Sequence, residues 1–115
     1  MTKDTGWIDV DTTGATRGTF TGFKMRKIGK LVKWKGYVTG LTESDESQTF
    51  GFNIPEGFRP DDSYNLITGM RSSNGAKEPA MFRLYSAGTI QLRKLDSTTS
   101  ASDIIDLDNI TYFTE

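Results

Sequence analysis

Two prolines and a glycine lie within seven residues, Ile54–Pro60, between two strand-like runs. Pro55 lacks the backbone N–H that a strand needs for its hydrogen-bond ladder, so it ends the run before it. Gly57 can adopt a positive φ, and Pro60 stiffens the exit from the loop. Phe58 lies between these breakers, and we expect its ring to enter the core. The segment therefore predicts a tight, aromatic-anchored crossover between two strands.

A hairpin is predicted at Gly29-Lys30, between the strand-like runs Phe20–Ile28 and Leu31–Thr39. The second run alternates with a period of two, which is typical of a strand with one buried face. Its apolar side carries Val32, Trp34 and Val38, and its other side carries Lys33, Lys35 and Tyr37. Gly36 falls on the apolar side, where we expect a bulge or a close backbone contact. Trp34 is therefore predicted to be a core residue.

The rest of the chain also reads as short strands separated by turns. Loops are predicted at Ser72–Pro79, with a turn at Asn74-Gly75, and at Asp96–Ser102, and a hairpin turn at Ser86-Ala87-Gly88. No ten-residue segment keeps a helical period. About eight antiparallel strands predict an all-β fold, either a small β-sandwich or a jelly-roll-like barrel. The remaining predicted strands are Trp7–Val10, Gln48–Ile54, Tyr64–Met70, Met81–Tyr85, Thr89–Lys94 and Ile110–Phe113.

Composition limits the classes of function that the chain can have. Its 115 residues predict one domain, 1–115, with a modest core because only 35% of the residues are hydrophobic. No apolar run of about 18 residues and no basic-then-apolar leader is present, so we expect no membrane insertion. The chain has no cysteine and no histidine. This excludes disulfides, thiolate nucleophiles and Ser-His-Asp triads within it.

Charge is unevenly distributed along the chain although the net charge is only −1. The segment from Arg17 to Lys35 holds seven basic residues and no acid, whereas the segment from Asp96 to Glu115 holds five acids and no base. One interpretation is an anionic partner for the basic segment. The alternative, which we favour, is that neighbouring strands carry complementary solvent-exposed faces, within one chain or between subunits.

Several blocks resemble the carboxy-terminal head domains of phage receptor-binding and baseplate tail proteins, in the family's order. Phe23–Val38 is similar to their strand–turn–strand segment of the type Arg-Lys-x-Gly-x-x-Val. Ile54–Pro60 resembles their Leu/Val-Pro-x-x-Phe-x-Pro segment. The further blocks are Leu66-Ile67-Thr68-Gly69-Met70, Ser86-Ala87-Gly88-Thr89-Ile90-Gln91-Leu92 and Thr111-Tyr112. Together they cover about the last four fifths of the chain.

The resemblance implies a lactococcal-type head from a siphophage of Gram-positive bacteria. Such a head is a β-sandwich that assembles as a homotrimer and binds a cell-wall saccharide or phosphosugar polymer, without enzymatic activity. It acts on the virion, at the distal tail tip or baseplate, with other tail proteins as partners. The family's shoulder and neck are missing, and residues 1–16 could be an N-terminal arm or a remnant of a neck. No motif allows specific ligand-binding residues of the family to be transferred.

Candidate site residues follow from the chemistry of sugar recognition, which uses aromatic faces together with planar carboxylate, amide or guanidinium groups. Strand ends beside loops are the usual binding positions. The alternative for each arginine is a solvated strand face, and for the two aspartates a turn. The saccharide-binding candidates are Trp7, Asp61, Asp62, Tyr64, Arg71, Arg83 and Tyr85.

Other classes of function remain open at this point. Glu56 with Asp61 or Asp62 has the residue types of a glycosidase carboxylate pair, although none lies in an apolar run. Asp103, Asp106 and Asp108 carry oxygen ligands for Ca²⁺, but the glycines of a calcium loop are absent, so we expect a solvated acidic loop and no bound metal or cofactor. Lys24–Lys35 would suit a nucleic-acid-binding barrel, but Trp34 faces away from the lysines. A structural tail domain without any ligand is the remaining alternative.

Overall fold

The computed structural model describes residues 3–71, 78–108 and 110–114, and only the backbone of Met70 and Arg71. The predicted turn at Asn74-Gly75 lies outside these residues. No helix in the described ranges is long and apolar enough to cross a membrane. Their regular structure consists of one 3-10 turn, Glu43–Asp45, and ten strands: β1 (Ile8–Asp9), β2 (Thr19–Ile28), β3 (Leu31–Thr39), β4 (Thr49–Asn53), β5 (Tyr64–Thr68), β6 (Met70–Arg71), β7 (Ala80–Leu84), β8 (Thr89–Lys94), β9 (Ile104–Asp106) and β10 (Thr111–Phe113).

The larger sheet has six antiparallel strands in the order β1-β2-β3-β9-β6, and β10 also pairs with β3. Its centre is the β2–β3 hairpin, in which Met25 lies opposite Trp34. Gly29, in the turn, has a φ of 61°, which glycine adopts without steric cost. The predicted hairpin is confirmed.

The two strands of this hairpin approach closely at Gly36. Its φ is 116°, and a Cβ there would lie 2.6 Å from the carbonyl oxygen of Gly22. The pairing register shifts between Thr21 and Lys24, directly opposite this point. The predicted close backbone contact is therefore confirmed, and any side chain at position 36 would push the strands apart.

The smaller sheet has four antiparallel strands in the order β4-β8-β7-β5. Burial alternates along β7, where Ala80, Phe82 and Leu84 are buried. The same alternation in β8 buries Ile90 and Leu92. Each of these two strands therefore turns one apolar side to the core and its other side to solvent.

The core lies between the two sheets and is rich in aromatic rings. The ring centroids of Phe23 and Trp34 are 4.9 Å apart, those of Phe20 and Phe50 are 5.4 Å apart, and those of Phe50 and Phe82 are 5.8 Å apart. Trp34 is only 2% exposed, which confirms its predicted place in the core. The predicted all-β sandwich is confirmed, with ten strands rather than about eight.

The crossover loop Ile54–Pro60 follows β4 and is anchored to the core by the side chain and the carbonyl oxygen of Phe58. Phe58 packs, half-buried, against the core, and its carbonyl oxygen accepts a 2.6 Å hydrogen bond from the hydroxyl of Tyr112. That hydroxyl in turn accepts a 3.0 Å bond from the indole nitrogen of Trp34. Gly57 has a φ of 89°. The predicted aromatic-anchored crossover is confirmed.

Two strands differ from the sequence prediction. The single predicted strand Tyr64–Met70 is split at Gly69, because the chain leaves the smaller sheet there and pairs with β9 in the larger one. The predicted acidic loop instead contains β9, in which Ile105 is 1% exposed. Asp103 is 4% exposed rather than solvated, and its carboxylate accepts a 2.9 Å bond from the amide of Ser100.

Candidate ligand-binding site

Side chains on the outer side of the smaller sheet form a continuous polar row. Gln91 lies opposite Thr49 of β4 and Arg83 of β7, and Arg83 lies opposite Asn65 of β5. Since their chain neighbours in β7 and β8 are buried in the core, these side chains point outwards. Tyr85 follows β7 and joins this row. We call Thr49, Asn65, Arg83, Tyr85 and Gln91 the polar face.

Hydrogen bonds and one cation–ring contact connect four members of the polar face: Asn65, Arg83, Tyr85 and Gln91. Arg83 donates from Nη1 to Oδ1 of Asn65 at 3.0 Å, and its Cζ lies 5.1 Å from the centroid of the Tyr85 ring. The Tyr85 hydroxyl donates to Oε1 of Gln91 at 3.2 Å. Gln91 itself donates from Nε2 to the carbonyl oxygen of Ser47 at 3.0 Å. These contacts restrict the rotamers, so little conformational entropy remains to be lost on binding.

The polar face has the chemical groups that bind carbohydrate. Tyr85 offers an aromatic ring, Arg83 a planar guanidinium, and Asn65 and Gln91 planar amides that can both donate and accept. None of the five residues is acidic, so the face has no carboxylate to repel a negatively charged ligand. Arg83 and Tyr85 were predicted site residues, and the structure brings these two together.

Asp61, Asp62 and Tyr64 lie at one end of the sandwich, not on the polar face. The Tyr64 hydroxyl donates to Asp61, and this hydrogen bond raises the pKa of Tyr64. The Tyr64 ring packs against the core. Asp62 accepts a 2.8 Å bond from the amide of Ser63, as in a turn. Their role in ligand binding stays a prediction.

Trp7 and Arg71 lie elsewhere. Trp7, 39% exposed, stands on the outer side of the larger sheet, with Cζ of Arg26 6.0 Å and Nζ of Lys35 5.5 Å from its ring centroid. Arg71 belongs to β6, where it pairs with Ile104, and its side chain is outside the described part of the structure. Trp7 therefore lies on the larger sheet and Arg83 and Tyr85 lie on the smaller one, and the roles of Trp7 and Arg71 in ligand binding stay predictions.

The outer side of the larger sheet carries most of the basic segment. Lys24 forms a 2.9 Å ion pair with Asp9, and Arg26 donates from Nε to Asp4 at 2.9 Å. The hydrogen bond from Arg26 lowers the pKa of Asp4 to about 2. These counter-charges come from the amino-terminal segment, and Asp9 lies opposite Lys24 on the neighbouring strand β1, as the favoured interpretation of complementary strand faces expects. We call Trp7, Lys24, Arg26, Lys33 and Lys35 the basic face.

Sequence reasoning missed three members of the polar face: Thr49, Asn65 and Gln91. The alternation of Thr89–Lys94 was sufficient to place Gln91 outwards. Its neighbours across the sheet depend on the strand order β4-β8-β7-β5, in which β5 and β8 both pair with β7. No local sequence pattern encodes that order.

Acidic side chains do not assemble into a metal site in the parts of the chain that the structure describes. Asp108, one of the three acidic residues considered for Ca²⁺, accepts a 2.8 Å bond from the amide of Gly36. Asp103 is buried at the end of its loop. Both carboxylates therefore have a structural role beside β3 and β9.

Comparisons with known proteins give a similar structure but no related sequence. No family model matches the chain, and no curated protein matches it. Its fold is similar to that of the receptor binding protein (gp15) of Listeria phage PSA, with a TM-score of 0.63 and 20% sequence identity. The match covers 100% of this chain and 66% of the phage protein's chain. At this identity the similarity shows a common fold.

Proposed function

We propose that the chain is a phage tail receptor-binding domain that attaches the virion to a cell-wall saccharide or phosphosugar polymer of a Gram-positive host. The observation that carries this proposal is the structural similarity, over the whole chain, to a protein described as the receptor binding protein of a Listeria phage. The order of the head-domain-like sequence blocks supports the same role.

The polar face supports saccharide as the ligand class. Tyr85 and Arg83 are in contact, and Gln91 and Asn65 extend the row of planar groups on either side of Arg83. A sugar ring can stack its apolar side on Tyr85 while its hydroxyls exchange hydrogen bonds with the amides and the guanidinium. Such a row also suits a polymer, because successive residues can contact successive strands.

The proposal also covers assembly and location. Following the head-domain resemblance, we expect a lactococcal-type homotrimer at the distal tail tip, with other tail and baseplate proteins as partners. We expect binding without catalysis, since the chain has neither histidine nor cysteine and the polar face has no carboxylate for general acid–base chemistry.

Cell binding tests the proposal directly. The fluorescently labelled domain is added to a panel of intact Gram-positive strains and to their isolated wall polysaccharides, while its mass in solution is measured. Saturable binding that free polysaccharide competes away supports the receptor-binding function, and a mass of three chains supports the trimer.

The variant that tests the role of the polar face in this assay is the double replacement Arg83→Ala with Tyr85→Ala. It keeps the sandwich core and removes the centre of the polar face. We expect it to bind the same cells much more weakly. A wild-type domain that binds no wall preparation would favour a structural tail domain without a ligand. Equal binding by both proteins would place the ligand site elsewhere, and Trp7→Ala then tests the predicted role of Trp7 on the opposite face.

A further inference from the structure

A cleft of about 270 Å³ opens between the crossover loop, the β7–β8 turn and the end of β10. The crossover loop forms one wall through Glu56, Gly57, Arg59 and Pro60, and the other side consists of Ser86, in the β7–β8 turn, and Thr114. Glu56 and Ser86 are exposed, whereas Pro60 and Thr114 are buried. The opening of the cleft is therefore lined by exposed polar side chains, and its base is formed by buried residues.

Arg59 is held in a fixed position in this cleft. Its Nε donates a 2.9 Å hydrogen bond to the carbonyl oxygen of Ile54. Its guanidinium packs so closely on Gly88 that a Cβ there would lie 2.5 Å from Nε and 3.0 Å from Cζ. Gly88 itself accepts a 2.7 Å bond from the amide of Ile54, which joins the turn to the loop. The guanidinium is thus positioned by backbone on two sides.

The remaining donors of Arg59 have no partner within the described residues. Only Nε is bonded, and Arg59 takes part in none of the ion pairs in this part of the chain. Glu56 lines the same cleft without pairing with it. A half-buried, immobilised guanidinium with free terminal nitrogens has the geometry that binds planar or tetrahedral oxyanions through two parallel hydrogen bonds.

From this arrangement we infer that the cleft is an oxyanion-binding site, in which Arg59 binds a singly charged phosphodiester or carboxylate group. Glu56, at the mouth, accepts hydrogen bonds from hydroxyl groups next to that anion. Lys27 donates to the carbonyl oxygen of Gly57 at 2.8 Å and adds positive charge beside the loop. None of the residues that line the cleft belongs to the polar face, and the site rests on the proposed function only for the source of its ligand.

The test uses small probes and no cells, so its outcome is independent of the adhesion proposal. Dimethyl phosphate and acetate are titrated separately into the whole domain while ¹H–¹⁵N spectra record the Arg59 Nε–H and the amides of Gly57, Ser86 and Thr114. We expect saturable shifts with a dissociation constant on the order of 10 mM, which suits one charged, bidentate contact. The tighter of the two probes identifies phosphodiester or carboxylate as the source.

Three variants make the result specific. Arg59→Gln should weaken binding about tenfold, because it removes the charge-assisted hydrogen bonds. Glu56→Gln should tighten it, because Glu56 is the acidic side chain among the described residues that line the cleft. Lys94→Gln, which removes an equal charge from the exposed end of β8, should leave it unchanged.

Arg59→Lys is a second, more conservative variant, included in case Arg59→Gln fails to fold. It keeps the charge, loses the planar fork and is expected to bind more weakly than the wild type. Unchanged affinity in both Arg59 variants, or probe shifts absent from the four reporter groups of the wild type, would overturn the proposal.

Discussion

The two outer faces of the sandwich handle polar side chains in opposite ways. On the basic face, Lys24 and Arg26 are neutralised by acids that the amino-terminal segment supplies. On the polar face, Arg83 instead contacts an amide and an aromatic ring. Two of the four cations on the basic face, Lys24 and Arg26, are thus paired within the chain. On the polar face, neutral amide and phenol groups and one guanidinium hold each other in fixed positions.

This difference explains why charge alone is a poor guide to the binding surface. The basic run from Arg17 to Lys35 is prominent in the sequence, yet Asp4, Asp9 and Asp45 pair with three of its members. The pair of Lys24 with Asp9 is solvent-exposed, and such pairs contribute little free energy. A surface that recognises sugars needs planar groups in fixed positions, which the strand pairing supplies on the other side.

The largest effect is expected from the polar face. Replacing Arg83 and Tyr85 together with alanine removes the stacking ring and the guanidinium, so affinity for cells should fall about ten- to a hundredfold. Binding isotherms of the labelled domain on a responsive strain measure this change. Near-UV circular dichroism checks that the aromatic core is intact. Unchanged affinity would contradict the proposal that the polar face, and not the basic face, binds the receptor.

The inner side of the larger sheet is expected to govern stability, in contrast to its outer face. Tyr112→Phe leaves the buried indole N–H of Trp34 and the carbonyl of Phe58 without their partner, so unfolding should become easier by about 1–3 kcal/mol. Urea denaturation measures the change. Tyr64→Phe, which removes an exposed hydroxyl, is the matched control and should have a smaller effect.

The same tyrosine predicts a dependence on alkaline pH. Burial raises the pKa of Tyr112 above its ordinary value of 10.0. The unfolded chain therefore loses this proton first, so the stability contributed by neutral Tyr112 is present below pH 10 and is lost as the pH rises above it. Denaturation midpoints between pH 8 and pH 11 should fall less in Tyr112→Phe than in the wild type. Parallel curves would contradict this assignment.

A smaller effect is expected from the basic face. Lys24→Gln breaks the ion pair with Asp9, in which both side chains reach solvent, and should cost about 0.2–1 kcal/mol of stability. Cell binding should stay within about twofold of the wild type, since Lys24 lies on the face opposite the proposed ligand site. A marked loss of binding by this variant would show that the basic face contacts the receptor. Asp9→Asn separates lost pairing from lost positive charge.

The smallest effect concerns acid. Hydrogen bonding to Arg26 lowers the pKa of Asp4 from 3.8 to about 2. Its contribution to stability is therefore present above pH 3.8 and is lost as the pH falls towards 2. Because the Asp4 side chain is exposed to solvent, we expect only a slight flattening of the acid unfolding curve in Asp4→Asn. A steeper curve in the variant would be inconsistent with this ion pair.

Much of the fold could be predicted from the sequence because its signals are local. Alternation around Trp34, the turn at Gly29 and the breakers of Ile54–Pro60 each act within a few residues. By contrast, β9 is only three residues long and lies among acidic residues. The sequence therefore gives no clear strand signal around the buried Ile105. The split at Gly69 depends on a change of sheet, which no local pattern records.

The candidate site was less predictable for the same reason. Arg83 and Tyr85 were found because they end a strand beside a loop. Gln91 and Asn65 join them only through non-local pairing of β8 and β5 with β7. The cleft at Arg59 depends on the contact between the crossover loop and Gly88, residues that are far apart in the sequence.

The most direct test of the central claim is binding of the labelled domain to intact Gram-positive cells before and after periodate oxidation, which cleaves the vicinal diols of wall glycans. If the receptor is a saccharide, the domain should bind a strain that it recognises saturably and lose that binding after oxidation. Lys24→Gln should behave as the wild type. The double variant Arg83→Ala, Tyr85→Ala should bind weakly before and after oxidation. Binding that survives oxidation at full strength would contradict a saccharide receptor.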